Sequence, residues 1–186
     1  MQDKRDKVLF TAERLFAERG FENTSVADIC SAANVSKGLV YHHFKSKEEV
    51  LKELFEMTTK KMMAMNDDIA PVSQPKKRLK QLIEKFFRQL KEDKMCFQLN
   101  LNLMFQPSTR AVLSKEIGER SAALLSTLEA LFTNINSENG KVMAYLFIAE
   151  LDGIALDYLA IYDDYPLEEI KVQLLHKYEL NNMNDE

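Results

Sequence analysis

The chain has 186 residues, 46% of them hydrophobic, which suffices for one domain or for a small domain beside a larger one, and its 5 Gly and 4 Pro are too few for an all-β fold with its many turns. No apolar run is long enough to span a bilayer, no leader-type segment follows the N-terminal Met, and Cys30 and Cys96 lack CxxC spacing, so a cytoplasmic protein with reduced thiols is expected. The net charge of −4 is unevenly placed: residues 1–47 carry 8 Lys+Arg against 6 Asp+Glu, whereas residues 137–186 carry 3 against 11, so the C-terminal end cannot be a surface that meets phosphates.

Val8, Leu9, Ala12, Leu15 and Phe16 recur at helical spacing and predict an amphipathic helix over residues 4–19, closed by Gly20. Ser25 with Asp28 is a capping box that opens a second helix, whose buried face is Val26, Ile29, Cys30 and Ala33. Asn34 tolerates left-handed backbone and marks a corner. Beyond it Ser36 is an N-cap for a short helix over residues 36–44. Leu39, Val40, His43 and Phe44 anchor that helix, while Lys37, Gly38, Tyr41 and His42 are left pointing outward. Two short helices joined by a tight turn form a helix-turn-helix, so the third helix is read as the element that enters a DNA major groove. Ser46 and Glu49 suggest a second capping box. Val50, Leu51, Leu54, Phe55 and Met57 then carry a fourth helix to about residue 65.

Residues 8–55 resemble the DNA-binding domain of the TetR family of bacterial transcriptional repressors. The resemblance rests on Ala12, Leu15, Phe16, Gly20, Phe21, Thr24, Ser25, Val26, Ile29, Ala32, Ala33, Val35, Ser36, Gly38, Tyr41, His43, Phe44, Lys47, Glu48 and Leu51. Asn34 stands where the family usually has Gly. The resemblance implies that Thr24 and Ser25 offer hydroxyls to a phosphate, with Ser36 and Gly38 at the front of the recognition helix. It also implies that Lys37 reaches a base edge or phosphate, that Tyr41 and His42 touch the duplex, and that Lys47 meets another phosphate. The bland alternatives are a partly buried Tyr41 and a merely solvated Lys47. Lys4 and Arg5 suggest a loose arm beside the duplex. Adjacent His42 and His43 point about 100° apart on a helix, and His176 follows no ligand spacing, so no metal site is expected.

Further along, residues 67–75 read as a linker, with Pro75 starting a helix whose stripe is Leu79, Leu82, Ile83, Phe86, Phe87 and Leu90. The basic cluster Lys76, Lys77, Arg78 and Lys80 is read as that helix's solvated face. Residues 95–105 are apolar with amides interspersed, which fits a largely buried helix. In the resembled family the central helices line a small-molecule cavity. Met62, Phe86, Phe97, Asn100, Met104 and Phe105 are therefore candidate effector residues, with plain core packing as the alternative. One helix is predicted from Pro107 through residue 134, one over residues 142–161 that is apolar on nearly all faces, and a last one over residues 167–178. One chain has too little surface to cover a helix apolar all round. A two-fold dimer is therefore expected, through Ala149, Gly153, Leu156, Ala160, Ile170 and Leu174, and the resemblance implies the same.

The expected fold is thus all-α: a helix-turn-helix domain over residues 1–48, its connecting helix running on to about residue 65, and a helical ligand-binding and dimerisation domain over residues 49–186. The expected function is ligand-responsive regulation of transcription on a palindromic operator, most simply repression relieved by a small, largely apolar effector. No nucleophile–base pair, glycine-rich phosphate loop or metal motif suggests an enzyme, and no cofactor is expected. A helical carrier that does not bind DNA is the rival reading.

Overall fold

The computed structural model describes residues 4–64, 69, 71, 73–135 and 138–180. Among these the chain forms α-helices and no strand. In order they are α1 (Lys4–Arg19), α2 (Val26–Ala33), α3 (Lys37–His43), α4 (Lys47–Ala64), α5 (Pro75–Glu92), α6 (Lys94–Phe105), α7 (Pro107–Val112), α8 (Ser114–Ile135), α9 (Gly140–Leu156) and α10 (Leu167–Lys177), with a π-helical turn at Asp157–Ile161 after α9. Part of the expected linker, at residues 67, 68, 70 and 72, and the expected end of α4 at residue 65 lie outside the described residues.

Packing divides the chain elsewhere than at residue 48. One compact unit is Met1–Lys61 with Met95–Glu119, and the other is Met62–Lys94 with Arg120–Glu186. The first unit gathers Leu9, Phe16, Ile29, Val40, Phe44, Leu51 and Phe55 into one apolar cluster, and Leu99, Leu103 and Leu113 from later in the chain belong to it too. Asn102 donates from Nδ2 to the Ala17 carbonyl at 2.9 Å, which fastens α6 to α1. Side chains far apart in sequence thus supply a core that a 48-residue piece could not fill alone.

The helix predicted from Pro107 through residue 134 is broken at Leu113, where the backbone turns to φ −104°, ψ 12°. Leu113 is fully buried, and the buried Thr109 hydroxyl lies 2.7 Å from the Leu103 carbonyl and 2.9 Å from that of Gln106. Leu113 belongs to the apolar cluster of the first unit, and that burial with the Thr109 bonds to the preceding turn fixes the corner; the helical stripe in the sequence carries no trace of it.

In the second unit, Leu79, Ile83, Phe86, Phe87 and Leu90 form the buried face of α5. Phe132 of α8, Phe147 of α9 and Tyr178 meet as a trio of rings, with centroids 5.5–5.9 Å apart. The Tyr178 hydroxyl donates to Glu150 at 2.8 Å. The basic face of α5 is answered by the acidic end of the chain: Lys91 pairs with Glu168, and Lys76 with Glu179 at 3.2 Å. Hence Lys76 of the basic cluster, and Lys91 at the other end of α5, are matched by acidic residues of the C-terminal stretch, whereas Lys80 lies 4.0 Å from Glu84 of its own helix.

The segment over residues 142–161 is only partly covered by its own chain, in line with the expectation that one chain has too little surface for it. Ala144, Phe147, Ile154 and Ala155 are buried, but Val142, Tyr145 and Leu146 are each more than half exposed. The α-helix also stops at Leu156, and the Tyr162 N–H bonds the Asp157 carbonyl at 3.1 Å across a wider turn.

Two tests follow from this packing. A Cβ on Gly140 would lie 2.1 Å from Thr133 Oγ1 and 2.8 Å from the Thr133 backbone nitrogen, whereas one on Gly118 meets nothing within 4 Å. Gly140→Ala should therefore destabilise the protein by about 1–3 kcal/mol in urea unfolding, and Gly118→Ala should stabilise it by up to about 1 kcal/mol through helix propensity. Hydrogen bonds from Lys171 and Lys91 hold the Glu168 carboxyl down at about 2, below its ordinary 4.5. A depressed carboxylate stabilises above the unfolded value and loses that effect as pH falls through the folded one. The Tm gap between the protein and Glu168→Gln should be full above pH 4.5 and close as pH falls towards 2.

Candidate nucleic-acid interface

Local rules account for the frame of this region. Gly20 ends α1 at φ +81°, and its N–H bonds the Phe16 carbonyl at 3.0 Å. A Cβ there would also lie 2.7 Å from Gln106 Nε2, the movable end of a long side chain, so it is the left-handed backbone that calls for glycine. The Phe21 ring then packs edge-on against Phe16 at 5.3 Å. Ser25 caps α2 with both halves of the predicted box. Its Oγ accepts from the Asp28 N–H at 3.1 Å, while Asp28 accepts from the Ser25 N–H at 2.8 Å and hydroxyl at 2.5 Å. These bonds, the hydroxyl first, lower the Asp28 pKa. Asn34 turns the corner at φ 50°, ψ 53°, the left-handed geometry its residue type allows.

Ser36 caps α3, with its Oγ accepting from the Leu39 N–H at 3.2 Å. Val40 and Phe44 are each 1% exposed and anchor the helix. Leu39 and His43 are half-buried, and Lys37, Gly38, Tyr41 and His42 are exposed. Positions i, i+1, i+4 and i+5 share one face of a helix, so these four residues form a single outward surface, bare backbone at Gly38. Lys37 Nζ lies 5.7 Å from the Tyr41 ring centroid, a cation held over the aromatic at the centre of that face. A Cβ on Gly38 would meet only Ser36 Oγ, at 4.0 Å, so nothing inside the chain requires glycine there.

Several expected contacts are spent inside the fold. Thr24 is fully buried, and its hydroxyl lies 2.9 Å from the Gly20 carbonyl, so it cannot reach a phosphate. Ser25 is exposed, but its hydroxyl already donates to Asp28. Lys47 Nζ donates to the Phe21 and Thr24 carbonyls at 2.8 and 2.9 Å, and is neither a solvated ammonium nor a bare cation. Arg5 is no loose arm: it pairs with Glu53 and sits 5.5 Å from the centroid of the Phe44 ring. The second capping box is half formed, since Ser46 accepts from the Glu49 N–H at 3.3 Å but Glu49 accepts from the Lys45 N–H. Sequence reasoning missed the tying roles of Lys47 and Arg5, because nothing local marks a lysine or arginine whose partner lies dozens of residues away.

The candidate effector residues fall in both units: Met62 and Phe86 in the second, Phe97, Asn100, Met104 and Phe105 in the first. Phe86 is 7% exposed, and Asn100 Nδ2 donates to the Cys96 carbonyl at 2.8 Å. Met104 and Phe105 are 38% and 69% exposed, and do not have the burial expected of a cavity wall. Among the dimer candidates, Ala149 and Ala160 are exposed and Gly153, Leu156 and Ile170 half-buried, whereas Leu174 is 7% exposed and serves the core of its own chain. Val142 and Leu146, which are exposed, stand with residues 149, 153 and 156 at alternating steps of four and three along α9.

Comparison with known proteins bears on the family and the fold. Residues 8–54 match the family described as "Bacterial regulatory proteins, tetR family". The fatty acid metabolism regulator protein of Bacillus subtilis (strain 168) is 30% identical over 140 residues, covering 72% of this chain and 70% of that one. The chain belongs to the tetR family of bacterial regulatory proteins. The HTH-type transcriptional regulator YerO, also of Bacillus subtilis and of uncharacterised function, is 37% identical over 116 residues. That match spans 60% of this chain but only 40% of YerO. The transcriptional regulator FadR from Bacillus subtilis, solved in complex with stearoyl-CoA, has the same fold, with a TM-score of 0.75 at 21% identity, covering 97% of this chain and all of that one.

For a tetR-family chain the glycine at position 38 gives a clean test. Gly38→Ala should leave urea stability unchanged or raise it by up to about 1 kcal/mol, since a helix gains from alanine and no atom obstructs the methyl group. The same variant should weaken DNA binding by about tenfold or more, because the outward face can no longer approach closely. Equal affinity of the two proteins for one duplex would remove the case for this surface.

Proposed function

We propose that the protein is a transcriptional repressor that binds a two-fold operator as a homodimer and is released by a small, largely apolar effector. The observation that carries this reading is the exposed face of Lys37, Gly38, Tyr41 and His42 on a helix held from behind by Val40 and Phe44. On DNA, Lys37 would serve the acceptors of guanine or a phosphate, and Tyr41 and His42 the neighbouring backbone. Ser36 would act through the cap that sets the start of α3.

Dimerisation is supported by the exposed stripe of α9. Within α9, Val142, Leu146, Ala149, Gly153 and Leu156 alternate by four and three, the spacing with which one helix packs along another, and Gly153 has open space where a side chain would lie. A paired molecule would present its two α3 helices to half-sites about 34–36 Å apart. The effector class proposed is a long acyl chain carried as a thioester. It is supported by the regulator of fatty acid metabolism among the relatives and by the stearoyl-CoA in a protein of the same fold. Such a ligand acts only through its preference for the form that does not bind DNA; a roughly 100-fold preference corresponds to about 2.7 kcal/mol of coupling.

Footprinting on the DNA upstream of the protein's own gene tests this directly. Two protected half-sites one helical turn apart are expected, with protection lost on adding stearoyl-CoA. Replacing Lys37 and Tyr41 together by Ala should abolish protection while sedimentation still shows a dimer. A monomer at micromolar concentration that protects no site would overturn the proposal.

A further inference from the structure

Lys47 occupies a position that elementary electrostatics disfavours. It is the first residue of α4, and the N-terminus of a helix carries partial positive charge that repels an ammonium. The following Glu48 and Glu49 have the sign that position favours. What offsets the unfavourable placement is visible around Nζ. It donates to the Phe21 carbonyl at 2.8 Å and to the Thr24 carbonyl at 2.9 Å, and it sits 4.1 Å from the centroid of the Phe21 ring. A lysine ammonium has three donors and no acceptor, so two of its three hydrogens are committed to the turn between α1 and α2. Both carbonyls lie outside any helix; that of Phe21 also accepts from the Thr24 N–H at 3.3 Å, and Lys47 adds a charged donor to each.

That turn sets the start of the helix-turn-helix. Thr24 within it is locked by its own hydroxyl on the Gly20 carbonyl, and the next residue, Ser25, is the cap of α2. The orientation of α2, and of α3 behind it, therefore depends on where residues 21–24 are held against the start of α4. Lys47 is the side chain that holds them.

We infer that Lys47 is a positioning residue, serving DNA binding by tying the α1–α2 turn to the start of α4, and not by neutralising a phosphate. This rests on the DNA-binding reading given above and corrects the role that the sequence resemblance assigns to the residue. A phosphate contact and a tie have different signatures. Removing a phosphate contact makes the plot of log affinity against log salt shallower by about one unit. Removing a tie leaves that slope alone, lowers affinity at every salt concentration, and loosens the turn whether or not DNA is present.

The experiment measures binding of the full chain and its Lys47→Met variant to a 40-base-pair duplex of mixed sequence across a series of low salt concentrations. In parallel, amide hydrogen exchange is followed in both proteins without DNA. The expected result for Lys47→Met is about tenfold weaker binding with an unchanged salt slope, the loss of charge-assisted hydrogen bonds appearing as faster exchange confined to residues 21–25. A slope shallower by about one unit overturns the inference, and so does unchanged exchange over residues 21–25. Should Lys47→Met fail to fold, Lys47→Gln carries the same test, since it removes the charge and retains one donor. Wild-type protein that ignores the duplex at the lowest salt overturns the DNA-binding reading itself. That failure is distinct from one confined to Lys47, because the exchange measurement still reports whether the tie exists.

Discussion

A helix of seven residues cannot hold itself together in water, because the cost of its first turn is never recovered over so short a run. α3 is such a helix, and it exists because Val40 and Phe44 are driven into the apolar cluster of the first unit. Everything asked of its outer face depends on that burial. With the two anchors fixed, the 3.6-residue repeat leaves Lys37, Gly38, Tyr41 and His42 no direction but outward. The surrounding polar groups serve the same end from the other side: Ser36 closes the start of the helix, and Arg5 rests against the Phe44 ring at its exit.

The charge pattern has a division of labour. Cations that a tally would assign to DNA are largely engaged within the fold: Arg5 by Glu53, Lys47 by two carbonyls, Lys52 by Glu116, and the lysines at either end of α5 by Glu168 and Glu179. The acidic C-terminal end is thus in part the counter-charge of α5. Net charge and lysine counts say little about an interface until the internally paired groups are set aside.

Features written in local chemistry were legible from the sequence. The cap at Ser25, the cap at Ser36, the stop at Gly20 and the left-handed corner at Asn34 each depend on residues within about five positions of one another. The all-helical fold was legible for the same reason, since the apolar stripes repeat locally. What escaped the sequence depends on partners far away in the chain. Nothing near Lys47 announces the Phe21 carbonyl, nothing near Thr24 announces its burial, and nothing in the stripe through residue 134 announces the break at Leu113.

The two cysteines have a practical consequence. Cys30 and Cys96 are both buried, no disulfide joins them, and both belong to the unit that contains the helix-turn-helix, while the other unit has none. A thiol reagent added to the native chain is therefore a clock for the opening of that unit alone, reading its breathing without any introduced label.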